Sequence, residues 1–294
     1  MNRKNLYKKS SNWLFNNLEY FDPRKGSIIA DDKYRVKAFT ELLFIQNMFF
    51  PKNLFSEHKQ RKIDNFVLNI IDKTSFYNYV NHNPDMMSVL PTIIEYLHNH
   101  GQKFDGTERI TELIEYNYDL LAQKTAFRQL DLAYSFRKAN IKTKFDSLQS
   151  IYRLTILNKK GNNFYFSDMD VYSVTHTIFY MTDMGRKEAP EIATNDTLAL
   201  LLRLIELYIL EDNMDILAEL LICLKFLHYD LSVLAVSSIV NRALKILKKH
   251  QRRDGIVLGP GINLSLRDSK EKIFRLNYHT TMVTLGALYL YEQI

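Results

Sequence analysis

Residues that interrupt helices are scarce in this chain. Nine glycines and six prolines are spread over 294 positions, well below ordinary usage. Leu, Ile, Lys, Asn and Tyr dominate what remains, and such a chain favours helices. Apolar residues recur at helical spacing in nearly every segment. The pattern predicts helices over 10–21, 31–50, 56–82 (with a break near 73–75), through 93–97, and over 107–119, 124–140 and 145–157. It predicts further helices over 169–184, 194–210, 213–228 and 231–250, and from 274 to the C-terminus. That is about twelve helices, joined by polar loops, with short extended pieces such as Phe164-Tyr165-Phe166. A hydrophobic share of 46% is ample for a buried core, and the length allows one large domain or two ordinary ones.

Composition also excludes several classes. The one cysteine, Cys223, rules out an internal disulfide framework and fits a reducing compartment. No apolar run is long enough for a membrane span. The basic N-terminus, Met1 to Lys9, has no apolar core or cleavage site behind it. A cytoplasmic protein is therefore expected, with no membrane partner. The formal charge of +6 is gathered in doublets, Lys8-Lys9, Lys159-Lys160, Lys248-Lys249 and Arg252-Arg253. These suit solvated helix ends, with an anionic partner as the alternative. None has the aromatic interleaving of a nucleic-acid module, so nucleic acid is not an expected partner. The phosphate-loop, dinucleotide and nucleophile-elbow motifs are all missing.

Chemistry is concentrated in three helices. The stretch from Val171 to Gly185 sets His176, Tyr180 and Asp183 at i, i+4 and i+7 amid apolar neighbours, and polar groups in such company need partners. Imidazole titrates near neutrality and suits proton transfer. The competing reading is a core histidine bonded to a carbonyl, with Asp183 capping the Met184-Gly185 turn. The last helix carries Tyr278 and His279, and His279-Thr280 echoes His176-Thr177. Adjacent residues face different ways, so only one of Tyr278 and His279 can meet a pocket. Between them in sequence, Glu219 and Cys223 lie at i, i+4 in an apolar run. A buried carboxylate there calls for a partner, for which Arg275 is the candidate. Cys223 with His176 and His279 is a conceivable zinc set, against the common case of an inert buried thiol. Asp168 and Asp170 read as capping residues around Ser167, and Asp31-Asp32 as the same device. His98 and His100 close a helix and are expected at the surface. His228-Tyr229-Asp230 marks a turn near a pocket rim.

Three loops are built alike, from an aspartate beside Pro or Gly. They are Phe21-Asp22-Pro23 to Gly26, Phe104-Asp105-Gly106, and Gln251-Arg252-Arg253-Asp254-Gly255 onward to Gly259. The last resembles the Q-x-x-D-G turn of α/α-toroid proteins, which include squalene-type terpene cyclases, prenyltransferase β-subunits and lanthipeptide cyclases. The acidic D-x-D-D signature and the tandem Cys-His of two of those families are absent. The pattern is most similar to uncharacterised bacterial toroid-like proteins of natural-product gene clusters. The resemblance implies an all-α fold, an α/α toroid of about six helical hairpins, formed as a single domain over 1–294. Helices at 171–184, 215–228 and 274–290 would then line a central funnel. His176, Tyr180, Asp183 and His279 would be catalytic, and Glu219, Tyr278, His228 and Arg275 would bind a small-molecule or peptide substrate. No cofactor is required, with zinc held in reserve. The alternative is a non-catalytic peptide- or protein-binding helical array using the same residues.

Overall fold

The structure, a computed structural model, describes residues 3–25, 33–71, 88–102, 107–116, 124–160 and 163–292. Among these residues the chain is all helical, and the isolated bridge between Gln251 and Val257 is the one pairing of β type. The expected Asp31-Asp32 helix start, the break near 73–75 and the Phe104-Asp105-Gly106 loop lie wholly or mainly outside the described residues. The chain forms two compact units, one of residues 1–20 and 160–294, the other of residues 21–159.

The first unit holds α1 (Arg3–Asn16), α9 (Asp168–Met181), α10 (Asn195–Leu210), α11 (Met214–Phe226), α12 (Leu234–His250) and α13 (Lys270–Glu292). Its hub is α11. Every residue of that helix but Lys225 is buried, as expected of a helix that is apolar all round. It packs against α9, α10, α12 and α13. Side-chain pairs fix the directions. Tyr172 with Asp215, Thr175 with Glu219 and Phe179 with Phe226 climb α9 and α11 together. His279 near Asp215, then Tyr291 on the Leu221 carbonyl, run α13 the same way. The hairpin partners α10 and α12 run opposite to α11. Tyr208, late in α10, reaches Asp168 at the start of α9, and His250, at the end of α12, meets Asp212 just before α11. Neighbouring helices α9, α11 and α13 thus run one way, and α10 and α12, which also pack on α11, run the other.

Local chemistry starts these helices. Ser167 caps α9 in a reciprocal box with Asp170, Thr194 caps α10, and Asn213 caps α11, each giving a side-chain oxygen to an otherwise orphan N–H. The extended reading of Phe164 to Phe166 is corrected: Asn163–Tyr165 is a short 3-10 turn, with the rings of Phe164 and Tyr165 exposed. The run of aromatics there marks a surface turn rather than a pleat.

The Gln251 loop ties α1 into this unit. Gln251 Nε2 donates to the Leu6 carbonyl and to Ser10 Oγ, both at 2.8 Å. Ser10 Oγ in turn donates to the Gly255 carbonyl at 2.8 Å. On the other side, Thr281 Oγ1 and Asn277 Oδ1 accept from the amides of Val257 and Gly259 at 3.0 Å each. Trp13 stacks at 5.9 Å on Phe274, which stacks at 5.1 Å on Tyr278.

The second unit holds α2 (Lys33–Phe49), α3 (Glu57–Ile71), α4 (Val89–Asn99), α5 (Thr107–Glu115), α6 (Ala126–Lys138), α7 (Leu148–Tyr152) and α8 (Ile156–Lys159). The predicted helix over 145–157 is two short ones, α7 and α8, because Arg153 to Thr155 turn between them. Its packing runs from α2 to α4, α4 to α6, and α6 to α7, around Phe39, Leu42, Ile93, Leu130 and Phe136.

Candidate functional site

Two carboxylates sit inside the most apolar of the described helices, α11. Asp215 and Glu219, one turn apart on α11, are both buried. An ionised carboxylate in such a place demands compensation. Asp215 lies in the first turn, where the helix dipole favours it. Its Oδ2 accepts from the Tyr172 hydroxyl at 2.6 Å, and its Oδ1 faces His279 Nε2 at 3.4 Å. Glu219 Oε2 accepts from Thr175 Oγ1 at 2.6 Å. Its Oε1 stands between two imidazoles, 3.8 Å from His176 Nε2 and 3.9 Å from His279 Nε2. Those are ionic contacts rather than hydrogen bonds. His176 completes the chain with Nδ1 at 3.3 Å from the Tyr180 hydroxyl.

The order is Tyr180, His176, Glu219, His279, Asp215, Tyr172. Carboxylates form the floor and imidazoles the front: Glu219 is 2% exposed at its side chain, His176 22% and His279 29%. Burial pushes the Glu219 carboxyl up, but the charges of His176 and His279 and the Thr175 hydrogen bond outweigh it. The net result lies below the ordinary carboxylate range. Burial, then the Asp215 charge, pushes the Tyr172 phenol well above its ordinary value, so Tyr172 is a fixed donor. We expect Tyr172→Phe to lose about 1–2 kcal/mol in urea denaturation, because Asp215 keeps its burial and loses its best donor.

His176, Tyr180, Glu219 and His279, all singled out by the sequence pattern, come together here. The other four do not. Asp183 falls beyond the end of α9 with φ +47°, and its carboxylate pairs with Arg186 at 3.1 Å. The face shared by i and i+7 ceases to exist once the helix has stopped. Tyr278 is buried against Phe274, away from solvent. His228 is an exposed residue with φ +55° in the turn after α11, the position that ends helices through left-handed geometry. Arg275 is exposed, and Glu219 takes imidazoles and a hydroxyl in place of a guanidinium. Cys223 points Sγ at the Thr175 carbonyl at 3.7 Å, and burial pushes its thiol well up. Among the described residues, no group of three or more His, Cys, Asp or Glu side chains is arranged to hold a metal ion. His98 is exposed as expected, whereas His100 is half-buried and bonded.

Sequence reasoning missed Tyr172, Thr175 and Asp215. A signal for two of them lies one turn upstream of residues that stand out: Tyr172 precedes His176 by four, and Asp215 precedes Glu219 by four.

An all-helical protein with a floor of buried carboxylates faced by two imidazoles is the class that this geometry defines. The chain belongs to a family described as a domain of unknown function, DUF6895, whose model matches residues 7–289. No curated protein and no solved structure matches the chain. Among the described residues, no helix is long and apolar enough to cross a membrane.

Proposed function

We propose that this protein is a bacterial, cytoplasmic tailoring or cyclase-like enzyme that acts by acid/base chemistry on an apolar or peptide-derived metabolite. The observation that carries this reading is Glu219 Oε1 standing between His176 Nε2 and His279 Nε2. A proton taken up at one imidazole is stabilised by the same carboxylate that faces the other, so a base and an acid are coupled through one buried anion. Tyr180 orients His176, and Tyr172 with Asp215 orients His279. The alternation of direction between α9, α11, α13 and the reversed α10 and α12 supports the α/α toroid as the architecture that presents this cluster. No resident cofactor enters the scheme.

The test is a comparison of mass spectra. Purified protein is incubated with metabolite extract of the producing cells, beside Glu219→Gln and His279→Asn variants of matched folding. Product masses that appear with the native protein and are lost in both variants are the expected result. Identical spectra for all three would sink the proposal.

A second reading, a non-catalytic peptide-binding module, is favoured by the exposed Phe164 and Tyr165, 84% and 78% accessible, with exposed Met169 close by in sequence. Aromatic residues of that kind supply contact area. Under it, Phe164→Ala with Tyr165→Ala would abolish peptide capture, and Glu219→Gln would leave it intact.

A further inference from the structure

Charge is distributed unevenly along this chain. Residues 1–18 and 231–253 together hold ten of its 39 basic residues and none of its 33 acidic ones, so the remainder carries net negative charge. Folding brings the two stretches together. Gln251 Nε2 donates to the Leu6 carbonyl, and Ser10 Oγ donates to the Gly255 carbonyl, each at 2.8 Å. Those bonds set the Arg252-Arg253 turn against the part of α1 that carries Lys8 and Lys9. Lys248 and Lys249 lie just before it, in the last turn of α12. Three of the four basic doublets thus meet at one place on the first unit. Lys8, Lys249, Arg252 and Arg253 are exposed, and Lys9 and Lys248 are half-buried. Asp254 puts a carboxylate among them, 3.5 Å from Arg252 Nε, and Asp212 pairs with His250 at 2.9 Å. Six cations against these two anions leave a strong positive excess.

We infer that this patch is a docking surface for an acidic segment of a partner polypeptide. Its make-up selects among polyanions. A membrane-binding patch sets apolar side chains among its cations to enter the lipid. Here Leu6, Trp13 and Leu14 are buried, and among the described residues no large hydrophobic side chain of 6–18 or 235–258 is exposed. Single-stranded nucleic acid is held by stacking on open aromatic rings. The rings of Tyr7 and Trp13 are instead packed on Tyr289 and Phe274. What the patch offers is cations, and carboxylates suit them, as Asp254 on Arg252 already shows. Arginine forks take carboxylates bidentately, and flexible lysine stems follow irregular spacing. The patch is also separate from the carboxylate–imidazole cluster. Val257 and Gly259, which follow the arginines, donate their amides to Thr281 and Asn277 of α13. At about 100° per residue, Asn277 and Thr281 lie on one side of that helix and His279 on the other. A segment docked here sits behind α13 rather than on the cluster.

The experiment is fluorescence anisotropy of labelled oligoglutamate titrated with the full chain. Beside the native protein stand Lys8→Gln/Lys9→Gln, Arg252→Gln/Arg253→Gln and Lys159→Gln/Lys160→Gln, each checked for native circular dichroism. The last removes the same charge from a doublet that pairs with Asp196 instead. The first two are each expected to weaken binding by about tenfold, what two exposed ion pairs supply, and the third by less than about twofold. Glu219→Gln is expected to bind as the native protein does, so this inference and the acid/base reading stand or fall separately. No binding by the native protein, or undiminished binding in the first two variants, would overturn the surface. So would equal losses in all three, which report net charge and not a patch. A short DNA duplex and phosphatidylserine vesicles are run in the same buffer. A preference of the native protein for either, lost in the same two variants, would overturn the polypeptide as occupant.

Discussion

Glu219→Ala is expected to cost about 3–5 kcal/mol of unfolding free energy at neutral pH, the cost of removing one member of a buried ionic cluster. The carboxylate is 2% exposed, so water cannot replace it. Without it, His176 and His279 lose the anion between them and Thr175 loses its acceptor. Glu219→Gln keeps the volume and an acceptor for Thr175, and a loss of roughly 2 kcal/mol is expected, near that of one charge-assisted bond. The pH dependence has a definite sign. The folded Glu219 titrates below its ordinary range, so the unfolded chain binds its proton more readily. Its stabilisation is complete above the unfolded value and disappears as the pH falls through the folded one. Urea denaturation of native and Glu219→Gln protein between about pH 7 and about pH 3 should show the gap narrowing in acid. A gap of constant size would mean that Glu219 is not an anion in the native state.

Gly255→Ala should be nearly as damaging, at roughly 3 kcal/mol or more, the upper end of what a strained backbone position costs. Gly255 has φ +101°, outside the conformations that a side chain tolerates. An added Cβ would also lie at 2.3 Å from the Lys9 carbonyl oxygen. That oxygen belongs to backbone and cannot swing aside as a side chain would. Relief requires the loop to withdraw from α1, which breaks the bond from Ser10 to the Gly255 carbonyl and the two from Gln251. Thermal unfolding should show the loss as a lower midpoint. Gly261→Ala is the control. Its φ is +67° but nothing lies within 4 Å of its Cβ, so only the backbone cost of about 1–2 kcal/mol applies.

Much of this molecule was legible in the residue pattern alone. Helical spacing located nearly every described helix, because apolar stripes and scarce breakers leave little else for the chain to do. His176, Glu219 and His279 stood out because a charged or imidazole side chain in an apolar run must be partnered. Tyr172 and Asp215 did not stand out. A tyrosine on an amphipathic helix passes for core, and a carboxylate in a first turn passes for a dipole complement. Asp183 failed because α9 stops two residues short of it, so the shared face never reaches that far. The pairing of Glu219 with Arg275 failed for a different reason. The cation lies on the right helix, α13, but on its solvent side, a fact of rotation that residue types alone do not fix. The Q-x-x-D-G turn is recognisable by its letters, yet its role depends on Leu6, Lys9 and Ser10, some 245 positions away, and no local pattern connects them.

That separation affects how the protein is made. Helix α1 leaves the ribosome long before its cover does, carrying Leu6, Trp13 and Leu14, which are buried once folding is complete. The segments that cover them, around Gly255 and Phe274, follow some 245 positions later. At about 5–20 residues per second the wait is on the order of ten to fifty seconds. Throughout it the nascent chain carries these apolar side chains ahead of the residues around Gly255 and Phe274 that pack on α1.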